Sequence, residues 1–303
     1  MVWLKVVLLA IFALGAVGQM PLPFDREMYL TDPPMTGDDV RILQKLLNRG
    51  PDAPKLKGDG VYGSAVQDAM ATLQNSAAEL ESTEVFDPAT AQYCLDKFSN
   101  DGVVDSGFSA SELGYKYKIH VPVYTNRSLE TQATLFDADN NVLHTFTVRA
   151  HGKRDDGESY PWPDWGSEPG DNGLNQFSSG GMTPTGIMAI DLNSPEPNPE
   201  EYGPYPINRV VKGIRGNAEL LLPYIRDGIL MHTGQWSSPE HPWDSSMPMP
   251  NSLGCMHGHP EDIAKVSELL QKNGVVVNDN PFSGKDYPYA PQGVLVVEWQ
   301  AGP

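Results

Sequence analysis

The chain has 303 residues, 40% hydrophobic and 20% charged, enough to build a packed core and, at roughly 100–200 residues per domain, about two domains. Its 21 Lys and Arg against 39 Asp and Glu leave a net charge of −18, which excludes a nucleic-acid binder with a basic face and adhesion to anionic lipid. Two cysteines exclude a disulfide-stapled scaffold and a four-cysteine zinc site, and 29 Gly with 27 Pro imply long irregular connections.

The first segment has the composition of an export signal. Lys5 precedes an apolar run from Val6 to Val17, and Ala16 and Gly18 stand at the −3 and −1 positions of a cleavage site before Gln19. The run is short of the ~20 residues a span needs. Residues 1–18 therefore read as a signal peptide, with no membrane attachment after cleavage. The destination is extracellular, or periplasmic in a Gram-negative host. Oxidising surroundings would permit a disulfide. Cys94, however, sits on an apolar helical face and Cys255 in a Gly-flanked loop of a different region, which argues against their pairing.

Residues 36–98 read as three helices. Thr36 to Asp39 offers capping residues before Val40, Leu43 and Leu47, spaced i, i+3, i+7. The Gly-rich run KLKGDGVYG follows. A second helix carries Val66, Met70 and Leu73, and Asp87-Pro88 opens a third with Cys94, Leu95 and Phe98 on its apolar side. This region resembles the peptidoglycan-binding domain family of three short helices. The likeness rests on Val40, Leu43, Gln44 and Leu47, on the loop residues Asp59, Gly60, Tyr62 and Gly63, and on Ala69, Leu73 and Gln74. It implies a wall-targeting module with its groove near the DG loop and Tyr62 as a glycan contact. The plainer reading is that these residues only build a small helical core. Residues 99–114, rich in Ser, Gly and Asp, read as a linker.

From Tyr115 to residue 300 the pattern turns to β. Residues 115–121 alternate, and ATLFD and VLHTFTVRA flank the turn Asp139-Asn140-Asn141 as a hairpin. Further strands are expected at Gly186–Asp191, Arg209–Ile214, Gly228–His232, Gly274–Asn278 and Gly293–Trp299, with one helix over Asp262–Lys272. The whole reads as α+β: a small three-helix bundle, then a mainly β domain with long loops, sandwich-like or barrel-like. The acidic 155–171 stretch lacks EF-hand spacing, so no calcium site is assigned. Trp236 and Trp243 are read either as a lid or glycan clamp or as a plain surface loop.

The chemistry centres on Cys255. GILMHTG at 228–234 carries His232, and SLGCMH at 252–257 carries the thiol. A thiolate is the attacking species, a histidine can take its proton, and Gly254 lets the backbone turn tightly enough to aim N–H groups at an oxyanion. A His and a Cys 23 residues apart also fit a buried Cys near a structural His. The runs His232-Thr233, Ser252-Leu253-Gly254-Cys255-Met256-His257 and, upstream, Met182-Thr183-Pro184-Thr185-Gly186-Ile187 resemble the L,D-transpeptidase (YkuD-type) catalytic domain.

That resemblance implies Cys255 as nucleophile, His232 as base, and Thr233 orienting His232 through its backbone carbonyl. Gly254 and Cys255 amides would line the oxyanion hole, with Ser252 shaping the turn and Ser252 and His257 near the substrate. It also implies peptidoglycan stem peptides as substrate and no metal or organic cofactor; His257 and His259 supply only two nitrogens. Three departures stand out: 19 residues separate His232 from Ser252, Leu253 replaces a His, and His257 replaces an Arg or Asn. The expected activity is transpeptidation through a thioester, with an L,D-carboxypeptidase, an antibacterial wall hydrolase and a catalytically silent wall-binding protein as alternatives.

Overall fold

The computed structural model describes residues 18–50, 55–152, 174–236 and 242–302. Residues 1–17, read above as most of an export signal, the tryptophans at 162 and 165, the acidic 155–171 stretch and residue 241 lie outside them. Among the described residues no helix is long and apolar enough to cross a membrane.

The helical region is built as its periodicity predicts. Helices α1 (Asp38–Leu47), α2 (Ser64–Ser76) and α3 (Pro88–Phe98) bury Val40, Leu43 and Leu47, then Val66, Met70 and Leu73, then Cys94, Leu95 and Phe98. Asp87 caps α3 by accepting from the Thr90 amide, with Pro88 in the first turn. A stretch before α1 completes this core. Phe24 and Met28 are buried, with Phe24 edge-on to Phe86 at 4.7 Å and Met28 paired to the Phe86 backbone.

The β region is a closed eight-stranded barrel, the second of the two expected architectures and not the sandwich. The strands are β1 (Tyr117–Val123), β2 (Thr131–Phe136), β3 (Val142–Arg149), β4 (Gly186–Asn193), β5 (Ile207–Arg215), β6 (Leu230–His232), β7 (Met256–Gly258) and β8 (Gly293–Trp299). Their order is β1-β2-β3-β7-β6-β5-β4-β8, and β8 returns to pair with β1 in parallel over seven residues, Tyr117 with Gly293 through Val123 with Trp299. Closure removes the open edges a sandwich would keep. The alternation of apolar residues is the same in both architectures, so it does not distinguish them.

Three local expectations change. Gly274–Asn278 is not a strand; only Asn278 pairs, with Asn193. The three-residue β7 was not expected, nor were the short helices α4 (Pro199–Tyr202) and α5 (Asn217–Leu221). Helix α6 (Pro260–Lys272) starts two residues earlier than expected, with Pro260 in its first turn.

The 99–114 segment is a docked strap rather than a loose linker. Val103 and Ala110 pack against Ile187, Val294 and Val296 on one face of β4 and β8. The Asp101 carboxylate accepts from the Asn217 amide at 2.8 Å and from the Thr185 hydroxyl at 2.9 Å. Lys118, 1% exposed, pairs with Asp105 at 2.9 Å and donates to the Phe108 carbonyl at 2.7 Å. Composition marks such a stretch as flexible, but its acids are spent on buried donors. One apolar cluster continues from the helices into the barrel interior.

Candidate active site

The barrel order makes β6 and β7 parallel neighbours, with Met231 opposite Met256 and His232 opposite His257. Cys255 immediately precedes β7, one step back along the ladder. Two three-residue strands with 23 residues between them in sequence are thereby brought side by side. Cys255, His232, His257, Ser252 and Asn251 line one cleft of about 320 Å3, together with Tyr202 and Gly228.

The turn that carries the thiol is braced from every side. Gly254 has φ +114, and a Cβ there would stand 2.1 Å from the Arg226 Nη2 atom, so glycine is required on two counts. The Ser252 hydroxyl donates to the Cys255 carbonyl at 2.6 Å and accepts from the Gly254 amide at 3.1 Å. The Thr183 hydroxyl donates to the Gly254 carbonyl at 2.9 Å, which gives the TPTG run its physical role. Arg226 is buried and donates to the carbonyls of Gln176, Gly181, Met182 and Leu253. One guanidinium thus ties the 176–182 loop to the turn that carries the thiol. Nothing in the sequence around Arg226 flags it, because its partners are backbone carbonyls that no side-chain pattern reveals.

His232 is 2% exposed, and its Nδ1–H donates to the Thr233 carbonyl at 2.7 Å. In the neutral ring this leaves Nε2 as the acceptor, the tautomer a general base needs. His257 is held alike, Nδ1–H donating to the Pro250 carbonyl at 2.7 Å, and its ring stands edge-on to that of His232 at 4.7 Å. The Tyr202 ring lies 5.0 Å from that of His232, tilted against it. Trp236 is buried and tilted against His257 at 4.9 Å, with Trp243 edge-on behind it at 5.1 Å. Trp236 is therefore a buried wall against His257, not a lid and not a plain surface residue.

Electrostatics keep both partners neutral at rest. Burial pushes the His232 imidazole down to about 4, against the opposing pull of the Thr233 carbonyl. Burial pushes the Cys255 thiol up to about 11. The Leu230 amide, which donates to Sγ at 3.4 Å, and the Arg226 and Arg209 guanidiniums resist that rise, while Glu201 adds to it. Burial and the neighbouring His232 hold the His257 pKa well below the ordinary histidine range. The site at neutral pH is thus thiol plus neutral imidazole, not a preformed ion pair. The thiol itself donates to the Gly228 carbonyl at 3.5 Å.

The predicted site residues divide clearly. Cys255, His232, Ser252 and His257 share the cleft, and Thr233 and Gly254 hold them from behind. The Gly254 amide is already bonded to Ser252, so of the two amides expected in an oxyanion hole the Cys255 amide is the available donor. Tyr62 is elsewhere: it is fully buried in the helical core, with its hydroxyl enclosed, and so presents no surface to a glycan. Cys94 is buried among the helices, its thiol pushed up to about 12, and both cysteines are free. Among the described residues no three His, Cys, Asp or Glu side chains gather as metal ligands. No protein-family model matches the chain, and comparison with curated proteins and with solved structures yields no match.

Proposed function

We propose that the protein is a secreted cysteine acyltransferase of the L,D-transpeptidase kind, acting on peptidoglycan stem peptides. The helical domain over 36–98 would serve as its wall-targeting module and the barrel over 115–300 as its catalytic domain. The observation that carries this reading is the shared cleft in which a cysteine on a glycine turn lies beside a histidine with its Nδ1 fixed on a backbone carbonyl.

The arrangement performs acyl transfer in a definite order. The Cys255 Sγ–H proton passes to His232 Nε2 as sulfur attacks a peptide carbonyl carbon. The carbonyl oxygen takes the negative charge and is met by the Cys255 amide. The intermediate collapses, the C–N bond breaks, and the imidazolium returns its proton to the departing amine. The thioester then passes to an acceptor amine, which is cross-linking, or to water, which is carboxypeptidase or hydrolase action. Both resting partners are neutral, so the thiolate forms only as substrate arrives.

A second reading, a wall-binding protein with a catalytically silent barrel, is favoured by one observation. The resting thiol is engaged by the Leu230 amide and the Gly228 carbonyl rather than by His232. Intact-mass measurement separates the two. Incubation with a tetrapeptide stem or a carbapenem is expected to give turnover or an acyl adduct on the wild-type chain and none on Cys255→Ala. A folded wild-type chain that neither turns over nor acquires an adduct, yet still pulls down on insoluble wall material, sinks the catalytic reading and leaves the second.

A further inference from the structure

A cavity of about 570 Å3, apart from the thiol cleft, opens where α3, the 174–182 loop and the end of β8 meet. Leu95, Leu174 and Trp299 give it apolar surface, and among the described residues Arg127 is the one cationic side chain in its lining. Arg127 is 5% exposed, as buried as Arg226 at 6%, but its bonding is different. Arg226 spends its fork on four carbonyls. Arg127 makes a single hydrogen bond, Nη1 to the Thr183 carbonyl at 3.3 Å, and lies over the Trp299 ring at 5.5 Å.

A guanidinium has five N–H donors. The others on Arg127 have no protein partner among the described residues, and no carboxylate there pairs with it. The acid that acts on it from a distance, Asp101, already accepts from Asn217, Thr185 and Val103. Burial and the like charge of Arg226 push the Arg127 pKa down to about 9. A buried cation without a counter-ion is costly to hold, and an anion entering the cavity would relieve that cost.

We propose that this cavity is a carboxylate-binding subsite, in which the Arg127 guanidinium forks onto both oxygens of a small organic acid whose apolar body lies against Trp299 and Leu95. The size fits a ligand of one or two residues. The planar fork explains arginine rather than lysine at the position. The opposing charge in the lining is Asp96, which is exposed and bonded to Gln92 at 2.8 Å, so it weakens the site without occupying it. The subsite does not depend on the acyl-transfer reading, since no group in it touches Cys255.

Two sources present such an acid: the free C-terminus of a short peptide, and an acid side group on an amino sugar. Calorimetric titration of the full chain carrying Cys255→Ala, which removes thiol chemistry from the experiment, distinguishes them. The probes are N-acetyl-D-alanine, N-acetylmuramic acid and the uncharged N-acetyl-D-alaninamide. At least one acid is expected to bind about tenfold or more tighter than the amide, as a charge-assisted bidentate pair requires. Arg127→Gln should erase that preference, and Asp96→Asn should tighten the acid by about two- to threefold. Preference for the peptide acid or the sugar acid names the source, and equal binding of both leaves the carboxylate as the whole determinant. Acid and amide bound equally overturns the proposal, as does acid binding unchanged in Arg127→Gln. Where Arg127→Gln does not fold, failure of Asp96→Asn to tighten the acid overturns it.

Discussion

The helical region and the thiol cleft treat buried polar groups in opposite ways. In the helices Gln44, 2% exposed, donates to Asp59 at 2.8 Å and to the Val61 carbonyl at 3.1 Å, and accepts from the Gly60 amide at 2.9 Å. Gln74 does the same work one helix later, donating to the Val85 carbonyl and Thr90 and accepting from the Glu84 amide. Each glutamine staples a loop to its helix with its capacity filled. At the cleft and just behind it, the Asn251 Nδ2 group, the Thr233 hydroxyl and the Trp236 indole N–H are buried without partners. Two histidines there are held neutral. The helical region has exceptions of its own in the Tyr62 hydroxyl, the Arg41 Nε and the Gln67 Oε1. A satisfied network stabilises and is inert, while an unsatisfied one carries an energetic cost that an incoming ligand can relieve.

The strongest way to break this contrast is at Gly254. Alanine there meets both a positive φ and the Arg226 fork, which four carbonyls prevent from moving. Gly254→Ala is expected to destabilise the barrel by more than about 3 kcal/mol, or to force the turn open and end adduct formation at Cys255. Urea denaturation with carbapenem labelling reads both. A variant of wild-type stability that still labels at the normal rate would mean that the turn is not braced as described.

Acid sharpens the contrast next. His232 has a folded pKa of about 4, below its ordinary value near 6.5, so between those pH values the unfolded chain binds more protons. Stability is therefore full above about 6.5 and falls as pH drops toward 4, by about 3 kcal/mol for this one residue. His257 is shifted in the same direction and adds to the fall. The helical region contains no histidine, so the acid sensitivity belongs to the barrel. Melting curves from pH 7 to 4.5 should show the decline, and His232→Gln should flatten it. An unchanged slope in that variant would falsify the assignment of a buried neutral imidazole.

The two regions also differ in how much of them can be read from the chain. Helical periodicity states which residues face inward, and Val40, Leu43, Met70 and Leu73 do so. It says nothing of Phe24 and Met28, which lie in a stretch without period and are recruited by tertiary contact with Phe86. Strand alternation states faces but not partners, so the β1–β8 pairing that closes the barrel is invisible. A strand of three residues such as β7 is shorter than any pattern. Within the cleft, the glycine before a cysteine and the histidine before a threonine were legible because special backbone and acid–base chemistry restrict residue type. Arg226 and Trp236 were not, since one serves backbone carbonyls and the other a ring distant in sequence. His257 was legible only as a departure from a pattern, and its edge-on contact with His232 required the parallel register of β6 and β7.

The smallest expected effect tests whether the contrast is local. Gln44→Ala removes the acceptor of the Gly60 amide and a donor to Asp59, leaving a buried amide unpaired at a cost of about 1–3 kcal/mol. Asp59 loses the largest of the contacts that hold its pKa below the ordinary carboxylate value, so its titration should move back upward. Stability should therefore fall while the rate of carbapenem labelling at Cys255 stays at the wild-type value, because no group in the cleft touches the DG loop. The helices and barrel nevertheless share one apolar core, and Arg49 bonds to Asn217 at 2.6 Å across their junction. A drop in labelling rate alongside the loss of stability would mean that the core transmits the loosened loop to the thiol. The satisfied region would then be setting the geometry of the unsatisfied one rather than merely adjoining it.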